Sequence, residues 1–433
     1  MTSNTSHIYV AIPALNELDF IGDVLSDLVA QEMNNFSLFV CVNQPERWWQ
    51  NDKKVTICQN NLKTIDFILD FCGSNNIQLT LIDRSSPGKG WPEKQGGVGW
   101  ARKVLMDAIS EIAVENDIIV SLDADTRVES NYLQEIARQF ALFPKASSMA
   151  LPYFHEPQGD EDHQKSMLRY EIYLRSYAIN LLRIGHPFAY TPIGSAMAAR
   201  VSAYRKIRGL QATSSGEDFY FMMKLRKTGI VIPFCETRVY PSSRKSNRVI
   251  FGTGPTVALG APGQVERYPI YHPQLFDEIA AACGRFAEIF ETENSEILQK
   301  ILDVFPDLEY EKLRKNNPQL NRFIHACFSK ADAFAIYKYV KAHQPSEAND
   351  IESIDKLLDV LKIEDQTSDA FRQAQCDFSL ENETIQLHHL SIENLNTLRH
   401  LLMQIEEKFL QEKYNEYFAH RNEKTHDIWK LMS

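Results

Sequence analysis

Apolar residues in the first half of the chain follow two alternating rhythms. Short continuous runs at His7–Ile12, Phe36–Val42, Ile77–Ile82 and Ile118–Leu122 have strand length and favour β-branched residues. Between them the apolar positions open to helical spacing. Ile21, Leu25, Leu28 and Val29 share one face, with Asn16 placed to cap, and Val98, Ala101, Leu105, Ala108 and Ile112 share another. Two more runs, Ser195–Arg200 and Ile230–Phe234, read as strands. Strand–helix alternation predicts an α/β fold, a mostly parallel sheet flanked by helices. Ligands of such sheets bind beyond the carboxyl ends of the strands. Ala14–Glu17, Asn43–Pro45, Asp83–Arg84 and Asp123–Asp125 are therefore expected on one rim.

The segment Arg238–Gly263 is rich in Ser, Gly, Pro and Arg and reads as a long functional loop. From about Pro273 the pattern turns helical. Leu275, Ile279, Cys283, Phe286 and Phe290 mark one amphipathic helix, and Ile297, Ile301 and Leu302 mark another. Later stripes run through Phe323–Val340, Ile351–Leu361 and Leu395–Phe409. The expected organisation is an α/β domain over residues 1–265 and a smaller all-α domain over residues 266–433, with a polar linker near Gln344–Asn349 and no internal repeat. Tyr170, Tyr173 and Tyr177, with Leu174, form a helical aromatic stripe that suits core packing ahead of sugar stacking.

With 433 residues, 44% of them hydrophobic, the chain can bury a large core. Its net charge of −11 argues against a broad nucleic-acid partner, which needs phosphate neutralisation by Lys and Arg, while leaving room for a local basic pocket. No apolar run is long enough to cross a bilayer, and the polar start Met1–Ser6 does not resemble a signal peptide. The expected location is the cytoplasm, with peripheral contact at the inner face of a membrane open to the helical part. None of Cys41, Cys58, Cys72, Cys235, Cys283, Cys327 and Cys376 forms a Cys-x-x-Cys pair, so zinc and redox motifs are absent. His155, His163, His186 and His272 likewise lack metal-ligand spacing.

Candidate chemistry gathers on the predicted rim. Val120-Ser-Leu-Asp-Ala-Asp-Thr126 ends a buried strand on two carboxylates, Asp123 and Asp125. Each raises the other's pKa unless a cation stands between them, and a hard divalent ion would relieve that repulsion while bridging to substrate phosphates. An acidic turn before the helix that follows near Ser130 accounts for the same residues. Val10-Ala-Ile-Pro-Ala-Leu-Asn-Glu17 reads as a strand ended by Pro13 and a helix opened by Asn16 and Glu17. In Gly96-Gly-Val-Gly-Trp-Ala-Arg-Lys103 the glycines let the backbone approach a ligand. Arg102 and Lys103 fall in the first turn of the helix that starts there, where the dipole disfavours cations by about 0.3–1 kcal/mol each. An anionic partner would remove that conflict. The spacing fits neither a phosphate-binding P-loop nor the dinucleotide fingerprint. Ser215-Gly-Glu-Asp218 precedes a helix over Phe219–Lys227 that Gly229 closes, and its acids suit a capping box as well as chemistry. Arg244-Lys-Ser-Asn-Arg248, followed by Phe251-Gly-Thr-Gly254, suits a phosphate clamp or a solvated loop.

Taken in order, these features resemble family 2 glycosyltransferases of the GT-A fold. The family's opening Ile-Pro-x-x-Asn-Glu stands at Ile12–Glu17, and its Asp-x-Asp at Asp123-Ala-Asp125. Its acceptor-side Gly with a following Arg and a downstream Gly resembles Gly194–Arg200 and Gly209, and its Glu-Asp is Glu217-Asp218. The resemblance covers about residues 7–255 and leaves the helical part uncovered. It implies a nucleotide-sugar donor and transfer to an acceptor hydroxyl on a glycan, a lipid-linked intermediate or a small molecule. Asp125 would bind a divalent cation, Mn²⁺ or Mg²⁺, and Asp123 would hold the ribose or share that ion's surroundings. Asp218 would act as general base, with Glu217 in reserve, and direct displacement would invert the anomeric centre. Pro13, Ala14, Asn16, Glu17, Asn43, Asp83 and Arg102 would line the nucleotide site, with Arg244 and Arg248 gripping the diphosphate.

The chain also departs from the family. Val42-Asn-Gln-Pro45 stands where Asp-Asp-Gly-Ser is usual, and Arg238-Val-Tyr-Pro-Ser242 lacks the histidine that many relatives offer a metal. The Gln-x-x-Arg-Trp signature of processive synthases is absent, which implies single transfers. Two other readings compete. A nucleotidyltransferase would want a glycine-rich basic loop after the first strand, which Ala14-Leu-Asn-Glu17 is not. A non-catalytic scaffold would have little reason to keep Asp123, Asp125, Glu217 and Asp218 together.

Overall fold

The computed structural model describes residues 6–213, 216–244, 268–345, 349–363 and 387–420. Its main sheet has seven strands in the order β3-β2-β1-β4-β7-β6-β8. These are β1 (Ile8–Ala14), β2 (Phe36–Asn43), β3 (Leu79–Arg84), β4 (Ile118–Ser121), β6 (Ala146–Ala150), β7 (Met197–Arg200) and β8 (Ile230–Ile232). β5 (Arg127–Val128) and β9 (Val239–Tyr240) form a separate antiparallel pair, so the start of the predicted functional loop is a short strand. In the main sheet β7 alone runs against its neighbours, and the other ladders are parallel. The helices between strands are α1 (Leu18–Val29), α2 (Val55–Ser74), α3 (Val98–Ile112), α4 (Tyr132–Leu142), α5 (Glu161–Arg183), α6 (Val201–Lys206) and α7 (Glu217–Arg226). The expected α/β architecture is present, followed by a helical region.

Several local expectations change. Pro13 does not end β1. It pairs in register with Cys41, and β1 continues to Ala14. Leu122 N–H donates to the Ala11 carbonyl on the β4 side, and β4 ends at Ser121. Backbone groups alternate sides along a strand, so Pro13 faces the place where β4 has run out and its missing N–H breaks no ladder bond. Asn16 does not cap α1. It sits at φ 59°, a left-handed conformation that Asn tolerates, and its N–H donates to Asn61 Oδ1 at 2.7 Å. Glu17 takes the N-cap position without a side-chain cap bond.

The helical stripes are also rotated from their expected faces. α1 buries Ile21, Val24, Leu25 and Leu28 while Val29 is 43% exposed. α3 buries Leu105, Met106 and Ile109 together with Arg102, and Ile112 is 63% exposed. An apolar count skips a buried arginine and so misplaces the stripe. β6, with the sequence Ala-Ser-Ser-Met-Ala, carries no apolar run, yet Ser147 and Ser148 are buried, and the Ser147 hydroxyl donates to the Ile230 carbonyl at 3.1 Å.

The described chain divides into two compact units. One joins Met1–Gln158 with Pro192–Ala258, and the other joins Gly159–Thr191 with Leu259–Ser433. The second unit therefore claims α5, which interrupts the first in sequence. Its other described helices are α8 (Pro273–Gly284), α9 (Phe286–Thr292), α10 (Ser295–Val304), α11 (Tyr310–Asn316), α12 (Leu320–Lys330), α13 (Ala333–His343), α14 (Asp350–Leu361) and α15 (Ile392–His420). The single stripe expected through Phe290 is split into α8 and α9, and that through Val340 into α12 and α13, where the Asp332 side chain caps the second piece. At the expected linker, Gln344 bonds the backbone of Ile270 and His272, Asn349 caps α14, and residues 346–348 lie outside the described set.

The physical reason for the α5 allegiance is its apolar face. Leu168, Ile172 and Ile179 share a core with Ile354, Leu358, Leu398 and Leu402. Tyr173 and Tyr177 pack against a second core with Tyr271 and Phe276, which favours packing for the tyrosine stripe. Charge is buried there as well. Arg175 on α5 bonds Glu171 and Glu406, and Arg399 lies 3.7 Å from Glu171. Such networks are costly to desolvate and hold only when each charge is matched.

Candidate active site

The parallel ladders bring the ends of β1, β2, β3 and β4 to one edge of the first unit, as the alternation predicted. Ala14 pairs with Val42, and Asn43 with Arg84. Asp123 and Asp125 follow β4 immediately. Their side chains retain 34% and 16% exposure, so this is the accessible side of a strand end that is otherwise buried.

An arginine from elsewhere in the chain reaches each acid. Arg102 Nη2 donates to Asp123 Oδ1 at 2.6 Å, and its Nη1 donates to Glu217 Oε1. The guanidinium is 4% exposed. Burial works against its charge, but Asp123, Glu217 and Asp218 together hold its pKa above the ordinary value. Arg244 Nη2 donates to both Glu17 carboxylate oxygens at 2.6 and 2.5 Å, its Nε lies 2.8 Å from Asp125 Oδ2, and the guanidinium stacks 4.1 Å over the Phe20 ring. The anionic partner sought for Arg102 is thus supplied by the protein. α3 starts at Val98, which puts Arg102 beyond the first turn. Lys103 pairs with Asp107 on the same helix.

Two glycines make room for this arrangement. A Cβ on Gly194 would fall on the Arg102 guanidinium. A Cβ on Gly99 would meet the Thr213 carbonyl at 2.6 Å and Glu217 Cγ at 3.4 Å. Gly99, in the first turn of α3, therefore serves close packing of the segment that leads into α7. That helix begins at Glu217 behind Gly216, two residues earlier than expected, and Ser215 of the expected capping box lies outside the described residues.

Glu217 is buried at 3% exposure, whereas Asp218 is only partly buried. The Asp218 pKa is pushed up to about 6 by burial and then by the Glu217 charge, with Arg102 opposing. The Phe219 N–H donates to Asp218 Oδ1 at 2.8 Å.

The remaining rim residues are held mainly by the protein. Asn43 is buried, donating to the Ala14 carbonyl and accepting from Trp91 Nε1, each at 3.0 Å. Asp83 accepts from the Ser85 and Ser86 backbone and from Lys89. Burial pushes its pKa up, but these bonds hold it well below the usual carboxylate range. Asp83 touches none of the acids around Arg102. Arg200 bonds the carbonyls of Asn116 and Phe140. Arg248 lies outside the described residues.

Among the described residues no group of three or more His, Cys, Asp or Glu is arranged to hold a metal. A hard ion such as Mg²⁺ needs only one or two protein carboxylates when substrate phosphates and water complete its shell. Asp125 and Asp123 fit that donor set in charge and hardness, and both keep exposed surface. Arg244 and Arg102 neutralise the same two acids here.

No curated protein matches the chain. Among solved structures it is similar to S. aureus TarS 1-349 in complex with UDP-GlcNAc, at 12% identity over 77% of this chain and 89% of that one, with a TM-score of 0.36. It is also similar to S. aureus TarS, at 12% identity over 79% of this chain and 56% of that one, with a TM-score of 0.36. A protein-family model matches the part of the chain that carries most of the site's acids. Its span takes in β4, Asp123, Asp125, Gly194, Glu217, Asp218 and Arg244. Residues 118–257 of this chain match the model of glycosyl transferase family group 2.

Proposed function

We propose that this chain is a metal-dependent, inverting, non-processive glycosyltransferase that moves a sugar from a nucleotide-sugar donor to an acceptor hydroxyl. One observation carries the reading. The acids of the family segment, Asp123 after β4 and Glu217 at the start of α7, meet on one buried guanidinium, with Asp125 and Asp218 as their chain neighbours.

The roles follow from environment. Asp218 is partly exposed, and its raised pKa suits a general base near neutral pH, whereas Glu217 is buried against Arg102. In the proposed step the acceptor oxygen bonds the anomeric carbon and its proton passes to Asp218. The bond from that carbon to the diphosphate oxygen breaks, and its electron pair leaves with the diphosphate. Attack opposite the leaving group inverts the centre. Asp125 and Asp123 would hold a divalent cation, whose chemistry is to neutralise charge on the departing diphosphate. Glu17, Ala14 and Asn43 stand at the same strand ends and would border the nucleotide. Arg244 supplies a planar fork suited to phosphate oxygens once it leaves Glu17. Single transfer accords with the missing processive signature, and no helix of the described residues is long and apolar enough to cross a membrane.

A thermal-shift panel of UDP, GDP, dTDP, ADP and CMP, each with Mn²⁺ or EDTA, tests this. Stabilisation by one nucleotide only with metal is the expected result, and it would name the donor base. A flat response from folded protein would favour a scaffold role.

A further inference from the structure

Arg102 belongs to α3, outside the matched family segment, yet its guanidinium joins two acids of that segment. Asp123 follows the strand that ends at the donor side, and Glu217 opens the helix that carries the proposed base. The bridge is enclosed. Arg102 and Glu217 side chains are each 4% exposed, Gly194 leaves room for the guanidinium, and Gly99 lets the segment before α7 lie against α3. A planar fork binding two carboxylates fixes their separation in a way that a lysine point charge does not. It also keeps Glu217 occupied as a counter-charge, so that Asp218 is the neighbour left outside the bridge.

We propose that Arg102 is a positioning residue that couples nucleotide binding at Asp123 to the Glu217-Asp218 pair. This rests on the transferase reading above and assigns Arg102 to the linkage between the two halves of the site, in place of direct contact with the nucleotide. Occupation of Asp123 by the donor side changes its hold on Arg102, and Glu217 feels that change through the same guanidinium. Linkage requires the reverse as well, so altering Glu217 changes nucleotide affinity at Asp123.

The test uses full-length protein and nucleotide affinity, with whichever panel nucleotide stabilises the wild type in Mn²⁺. Glu217→Gln keeps Arg102 paired to Asp123 but removes the second anchor. Gly194→Ala displaces the guanidinium without changing any charge. Each variant is expected to weaken nucleotide binding about 3–30-fold, and the double variant no more than the weaker single, because both break one bridge. The Arg102→Gln/Glu217→Gln pair, which removes both members of the enclosed ion pair and leaves Asp123, 34% exposed, without its partner, should match them. Melting temperatures without nucleotide separate this from simple destabilisation, which would lower stability and leave affinity in the folded fraction unchanged. Wild-type affinity in Glu217→Gln, or additive losses in the double variant, would overturn the coupling while leaving the transferase reading intact. A wild type that binds no nucleotide would overturn both.

Discussion

Asp218 and Glu217 are adjacent in sequence but differ in environment. Glu217 is buried against Arg102, whereas Asp218 keeps partial exposure and a pKa of about 6. A general base works deprotonated. kcat/KM is therefore expected to be level above that pKa and to fall about tenfold per pH unit below it. A profile flat down to pH 5 would remove Asp218 from the base role. Asp218→Asn should lower turnover on the order of 10²–10⁴-fold while nucleotide binding by calorimetry is retained. Comparable turnover in that variant would sink the assignment.

At the level of elements, the phase of a helix decides which residue of an apolar pair carries stability. Leu28 on α1 is fully buried, and its neighbour Val29 faces out at 43% exposure. Leu28→Ala should cost about 2–5 kcal/mol in urea unfolding, and Val29→Ala no more than about 0.5 kcal/mol. Equal losses would contradict the observed rotation of the helix. β1, β2 and β4 were legible because continuous apolar runs announce buried parallel strands, and the partly exposed edge strand β3 was legible from Leu79, Leu81 and Ile82. β6 was not, because its buried serines satisfy themselves through bonds such as that of Ser147 to Ile230, which no local pattern reveals.

At the scale of the whole molecule, the two compact units are interleaved along the chain. α5 lies between β6 and β7 in sequence, but its Leu168, Ile172 and Ile179 need Ile354, Leu398 and Leu402 to be covered. The boundary expected at residue 265 would strand that helix. A chain truncated after residue 265 should therefore aggregate or lose cooperative unfolding, measured by size-exclusion chromatography and calorimetry. A monodisperse, cooperatively unfolding fragment would show that α5 can be covered without the C-terminal helices.

The sequence by itself determined the alternation of strands and helices, and with it a parallel sheet whose carboxyl ends collect Glu17, Asn43, Asp83, Asp123 and Asp125. Those features are written in continuous apolar runs, in the helical period of 3.6 residues and in strand ends, so neighbours along the chain suffice to read them. Only the tertiary structure decided the reversal of β7, the allegiance of α5 and the meeting of Arg102 with Glu217, 115 residues away. The conflict expected between Arg102 and the start of its helix is absent, because α3 starts at Val98, and it is the burial of the guanidinium that requires an anion. Which anion depended on the long-range packing of α7 against α3 through Gly99, and local periodicity holds no record of such a contact.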